Sequence, residues 1–144
     1  MKTILILGFL LFFLCFCCKK ENKIESTLIL KETLYGGCFN KNFKSSNITS
    51  NGVSYSTNDD TISLDIEFKD NCGGKFLTEN STRNDSIFVF INDTSELGAY
   101  CTCNFSIINK YIGFRSNKLY HYFVYLKTLN APDYILYGSG SIIK

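Results

Sequence analysis

Tryptophan is absent from this chain, and Pro, Met and His occur once each. Charge of one sign is scarce too. No stretch carries five like charges in a row, and the formal net charge is +2 over 144 residues. From Cys18 onward 14 basic side chains stand against 13 acidic ones. A nucleic-acid binder concentrates a strong basic patch, so nucleic acid is excluded as a partner at this stage. The single His121 leaves one candidate base for a Ser–His–acid site, and no Gly-x-Ser-x-Gly elbow accompanies it. After Cys18 no stretch holds a sustained 3.6-residue apolar period with caps. One short helix over Ile24–Thr33, with Ile24, Leu28 and Glu32 on one face, is the only helical candidate. No internal repeat and no second domain are discernible.

What is there is apolar and aromatic: 45% of residues are hydrophobic and 15% aromatic, with 13 Phe and 9 Tyr. That is too apolar for a disordered chain, and aromatic and β-branched side chains suit a pleated, half-buried surface. From Thr27 the pattern is strand after strand. Thr27–Tyr35 mixes apolar and charged residues, and Val53–Thr57 follows the hairpin-favouring pair Asn51-Gly52. Thr61–Phe68 alternates, with Ile62, Leu64, Ile66 and Phe68 on one face and Ser63, Asp65 and Glu67 on the other. Ser86–Ile91 is apolar enough for a strand covered on both faces. Tyr100–Ile108, Leu119–Leu129, Tyr134–Tyr137 and Gly140–Ile143 complete the set, the last glycines marking a bulge or bend. Turn-rich gaps at Lys41–Asn51, Asp70–Lys75, Glu79–Asp85, Asn92–Gly98 and Asn130–Asp133 separate the runs. The expectation is an all-β fold, an antiparallel β-sandwich or small barrel of about eight strands, over residues 27–144.

Ahead of this domain, Ile4 to Cys18 form an unbroken apolar run behind Lys2. As a helix it would rise about 22 Å, short of the ~30 Å hydrocarbon core, so it reads as the apolar region of a signal peptide. An uncleaved anchor helix is the alternative. The run ends Leu14-Cys15-Phe16-Cys17-Cys18 and turns at once to Lys19-Lys20-Glu21-Asn22. This resembles the signal of bacterial lipoproteins, in which a Cys directly after the apolar run becomes the lipidated first residue. Cys18 fits that position with the small Cys17 before it, although Cys15 stands where Leu is usual. Cys-Lys-Lys-Glu after a loose lipobox is similar to lipoproteins of the Bacteroidota. The resemblance covers about 22 residues and implies a signal peptide over 1–17, a lipid on Cys18 and a polar tether over 18–26. It also implies a cell-envelope location, anchored to a membrane, with the surface and periplasmic faces both open.

Four cysteines lie beyond the signal: Cys38, Cys72, Cys101 and Cys103. An even number in an exported chain reads as two disulfides, with three possible connectivities. Cys101 and Cys103 are two apart on a strand, where extended geometry disfavours a mutual bridge. Each is therefore expected to pair with Cys38 or Cys72, beside Gly36-Gly37 and Gly73-Gly74, and the sequence does not choose which. Free thiols are one alternative. A metal site is the other, and a single intervening residue between paired ligands argues against it. No metal and no cofactor are expected.

Other candidate sites stay close to background. His121 shares parity with Leu119, Phe123 and Tyr125, as a packed or interface residue does. Asn58-Asp59-Asp60 lacks the spacing of a calcium loop, and Asp65 and Glu67 are explained by solvation on a polar strand face. Sequons occur at Asn47, Asn80, Asn92 and Asn104. Asp60-Thr61-Ile62 and Asp85-Ser86-Ile87 are similar to the O-glycosylation motif of Bacteroidota, which makes Thr61 and Ser86 possible glycan sites. Tyr111, Tyr120, Tyr122, Tyr125, Tyr134 and Tyr137 either form an exposed platform or pack the sandwich, and packing is favoured. No catalytic residue is assigned. The expectation is a lipid-anchored binding module for a glycan or envelope protein, and not an enzyme. The alternative is an inhibitor or immunity-type lipoprotein that blocks an envelope-active enzyme.

Overall fold

A computed structural model describes residues 28–39, 48–49, 52–96, 98 and 100–143. The expected signal peptide, Cys18, the tether and the Asn47 sequon lie outside the described residues. Among the described residues nine strands follow in chain order: β1 (Ile29–Phe39), β2 (Ile48–Thr49), β3 (Val53–Asn58), β4 (Thr61–Asn71), β5 (Phe76–Arg83), β6 (Ser86–Asp93), β7 (Thr102–Ile112), β8 (Tyr120–Lys127) and β9 (Ile135–Ile142). The first sheet has the order β1-β7-β4-β3-β2 and the second β5-β6-β8-β9. Each sheet keeps two edges, so the architecture is an open sandwich rather than a closed barrel. Among the described residues no helix is long and apolar enough to cross a membrane.

Period-two alternation builds this sandwich. In β4, Ile62, Leu64, Ile66 and Phe68 point inward, and across the pair β7 contributes Phe105, Ile107 and Tyr111. Ile87, Val89 and Ile91 of β6 and Tyr120, Tyr122, Val124 and Leu126 of β8 close the core from the second sheet. Burying each large aliphatic chain stabilises the fold by roughly 1.5–3 kcal/mol. Two-residue turns reverse the chain between Asn58 and Thr61 and between Arg83 and Ser86. Their first positions, Asp59 (φ 50°) and Asn84 (φ 53°), take the left-handed conformation that Asn and Asp tolerate.

Four features depart from the sequence-level expectation. Residues 29–33 of the candidate helix are strand, because pairing with β7 (Ile29↔Ile112 to Thr33↔Asn109) satisfies their backbone groups. The polar run Glu79–Asp85, expected as a gap, is mostly β5, an edge strand whose exposed side chains need no apolar character. The last two expected strands are one, β9, with a bulge at Tyr137 between the pairs Val124↔Gly138 and Tyr125↔Leu136. Finally, β6 and β8 run parallel, Ser86↔His121 to Asn92↔Lys127. The chain leaves the second sheet after Asp93, runs through β7 in the first, and returns at Tyr120. Such a crossover brings a strand back in its original direction.

Candidate binding face

The parallel β6–β8 pairing organises the outer face of the second sheet. Ser86–Ile91 is not covered on both sides as its composition suggested. Ile87, Val89 and Ile91 are buried, while Phe88 and Phe90 point away from the core. The register sets Phe88 beside Phe123 and Phe90 beside Tyr125. Both pairs stack nearly parallel, with centroids 5.3 Å and 5.0 Å apart and interplanar angles of 13° and 11°. Tyr134 meets Phe90 edge-on at 5.4 Å, and the Lys127 ammonium lies 6.0 Å from the Tyr134 ring centre. Leu136 continues the face at 55% exposure. On its flanks the register places Glu79 opposite Phe90 and Ser139 opposite Phe123. The result is a flat apolar strip with a polar border, on a rigid sheet rather than on loops.

His121 sits at one end of this strip. Its Nδ1 is 3.1 Å from the hydroxyl of Ser141, its cross-strand neighbour. Its backbone N–H donates to the Asp85 carbonyl, while the Asp85 carboxylate is ion-paired with Lys118. The imidazole is thus tied into the sheet surface by Ser141, while the adjacent Asp85 carboxylate is engaged by Lys118. Sequence reasoning did not single out Ser141, because only the β8–β9 register brings it to His121.

The tyrosines divide. Tyr111, Tyr120 and Tyr122 are fully buried. The Tyr111 hydroxyl donates to Asn80 Oδ1, and burial pushes its ionisation well above the ordinary phenol range. Tyr137, aimed by its bulge, donates to the Glu67 carbonyl across the sandwich and packs edge-on to Phe68. Only Tyr125 and Tyr134 join the outer strip. Phe88, Phe90 and Phe123 supply the rest, and no tyrosine count could have pointed to them.

Asp65 and Glu67 are less solvated than their alternating pattern implied. Burial raises the affinity of Asp65 for its proton, opposed by a hydrogen bond from the Ser106 hydroxyl. Burial, and then the neighbouring Asp65 charge, do the same for Glu67, whose Oε1 is enclosed without a hydrogen-bond partner among the described residues. Glu32, by contrast, is held below the usual carboxylate range by a hydrogen bond and ion pair with Lys110 at 2.6 Å. Thr61 and Ser86 both open strands directly after two-residue turns and are half-buried. Asn58-Asp59-Asp60 is exposed and forms the β3–β4 turn.

The cysteines form two disulfides, Cys38–Cys103 and Cys72–Cys101, with Cα separations of 5.4 Å and 5.5 Å. This selects one of the two connectivities the sequence left open. In β1 a bulge over Gly36-Gly37, Gly37 with φ +66°, swings Cys38 opposite Phe105, within reach of Cys103. Beside the bridges the bulge opens a cleft of about 320 Å³, lined by Tyr35, Phe76, Phe105, Ile107 and Lys75. Compared with known proteins, the chain matches no protein-family model, no curated protein and no solved structure.

Proposed function

We propose that this chain is an exported binding module, tethered by a lipid on Cys18, that holds a glycan across the aromatic face of its second sheet. The single observation that carries the reading is the in-register stack of Phe88 on Phe123 and Phe90 on Tyr125, bordered by polar side chains. Stacked in this way, each ring leaves one electron-rich face and its electropositive edge uncovered by its stacking partner. A sugar ring has the matching chemistry: C–H groups on its faces to lie on π-systems, and hydroxyls on its rim to meet Glu79, Lys127 and His121. A strip of this kind on a soluble surface marks an interaction site. The two disulfides support export, since bridges persist in oxidising compartments.

The test is titration of the purified chain with a panel of neutral and acidic oligosaccharides, followed by tyrosine fluorescence and calorimetry. Binding should weaken at least tenfold in Phe123→Ala and Phe90→Ala while the far-ultraviolet circular dichroism spectrum is unchanged. Saturable binding that ignores both substitutions would move the site elsewhere. Capture of an envelope protein through these same residues, with no affinity for any sugar, would replace the glycan with a protein partner.

A further inference from the structure

Three of the four domain cysteines converge more closely than two independent bridges require. The Sγ atoms of Cys38, Cys72 and Cys103 all lie within 4.8 Å of one another, and the Cys101 sulfur is bonded to that of Cys72. They come from three chain segments: β1, the loop after β4, and the start of β7. A tetrahedral zinc–thiolate site, with bonds of about 2.3 Å, sets its sulfurs about 3.8 Å apart. The unbonded sulfurs among Cys38, Cys72 and Cys103 come within about 1 Å of that spacing, while the bonded pairs open and Cys101, held through its bond to Cys72, draws in on reduction.

These positions do not depend on the bridges alone. The β4–β7 ladder runs through Asp70↔Cys103 to Asn71↔Thr102, and the Cys72 N–H donates to the Cys101 carbonyl at 2.9 Å. Beyond Cys72, the Gly73 N–H donates to Asn71 Oδ1 and the Lys75 N–H to Asp93 Oδ1, while the Thr94 N–H donates to the Lys75 carbonyl. Across the sheet, β1 pairs with β7 on both sides of its glycine bulge, ending at Cys38↔Phe105 and Phe39↔Asn104. Backbone hydrogen bonds therefore hold all three segments in place when the sulfurs separate.

We propose that reduction converts this paired disulfide into a single binding site for a soft divalent cation of the zinc class, with Cys38, Cys72, Cys101 and Cys103 as its four ligands. Two equivalents of a dithiol reductant each pass two electrons and two protons to one bridge and leave as disulfides. The cation then displaces the four thiol protons and forms four metal–sulfur bonds. Thiolate ligands select ions of this class over calcium or magnesium. The single residue between Cys101 and Cys103 is unusual for paired ligands on one loop. Here it suits a site in which Cys101 faces the Cys72 loop and Cys103 faces β1, as their present bridges show.

The experiment uses the full chain with Cys15→Ser, Cys17→Ser and Cys18→Ser, so that only these four thiols remain. It is reduced anaerobically with a dithiol, freed of reductant, and titrated with cobalt(II). The intense visible absorption of tetrahedral cobalt thiolate should saturate at one ion per chain, be displaced by zinc, and be accompanied by a rise in Tm. The oxidised chain should give no such signal. Adding Cys72→Ser and Cys101→Ser should weaken binding at least tenfold, about 1.4 kcal/mol. Three results would overturn the proposal: no absorption and no gain in Tm, equal binding by the oxidised chain, or affinity untouched by the two added substitutions.

Discussion

At the scale of single residues, the carboxylates of β4 make the sharpest statement. Burial favours the protonated forms of Asp65 and Glu67, so their folded-state pKa values stand above the unfolded ones. Their contribution to stability is complete below the unfolded values, near pH 4, and is lost as pH rises through the folded values. Glu32 has the opposite sign, favouring the fold above its unfolded value, but its ion pair with Lys110 lies at the solvent-accessible surface and carries little weight. Asp65→Asn should therefore raise Tm at pH 7, with the advantage over the parent shrinking toward pH 4. Thermal melts of both proteins at the two pH values check this, and an advantage of equal size at both would show that burial of charge is not its cause. The alternation of Thr61–Phe68 told which face Asp65 occupies but not how covered it is. Its flanking strands are β3 and β7, through the pairs Ser54↔Asp65 and Asp65↔Ile108, and the β7 pairing joins residues more than 40 apart in sequence.

At the scale of elements, the β8–β9 pair shows what a glycine does in a strand. Tyr122 pairs with Gly140, and a Cβ on that glycine would meet the Tyr122 ring at 2.5–2.8 Å. The ring is fully buried and has nowhere to retreat. Gly140→Ala should cost about 1–3 kcal/mol through overpacking, read from urea denaturation. A neutral result would mean that Tyr122 turns out of the core without penalty. The glycines of Gly138-Ser139-Gly140 had suggested a bulge, and the irregularity does fall beside them, at Tyr137. What the sequence could not give was the merging of two apparent strands into one, since the break lies in the register with β8. The strip of aromatic rings was half legible: the parity of Phe123 and Tyr125 was plain, but their partners on β6 depend on a parallel pairing.

At the scale of the whole molecule, the bridges and the proposed anchor set the predictions. Cys38–Cys103 closes a span of 65 residues and Cys72–Cys101 one of 29. In the chain-entropy account the longer loop gains more, about 4 kcal/mol, and the shorter loop less by under about 1 kcal/mol. Replacing Cys38 and Cys103 by Ser should thus lower the urea midpoint more than replacing Cys72 and Cys101. The reverse order would mean that local packing, not loop length, governs the bridges. Intact mass of the protein extracted from native membranes should show loss of residues 1–17, added acyl mass, and a gain of about four hydrogens on reduction. A full-length mass with unmodified cysteines would remove the basis for the lipid anchor.

The sequence by itself determined the local matters. Alternation fixed an all-β chain and the inward face of β4, and the cysteine count with strand geometry pointed to two bridges that avoid a Cys101–Cys103 pair. These are properties of a few neighbouring residues, and period, turn chemistry and chain reach act at that range. Only the tertiary structure decided the rest: sandwich over barrel, Cys38 with Cys103, β6 parallel to β8, and hence the stacked rings on the outer face. Each of those depends on which distant strands become neighbours. Apolar strands with similar faces leave several pairings locally acceptable, and the choice among them is made by packing two complete sheets against each other.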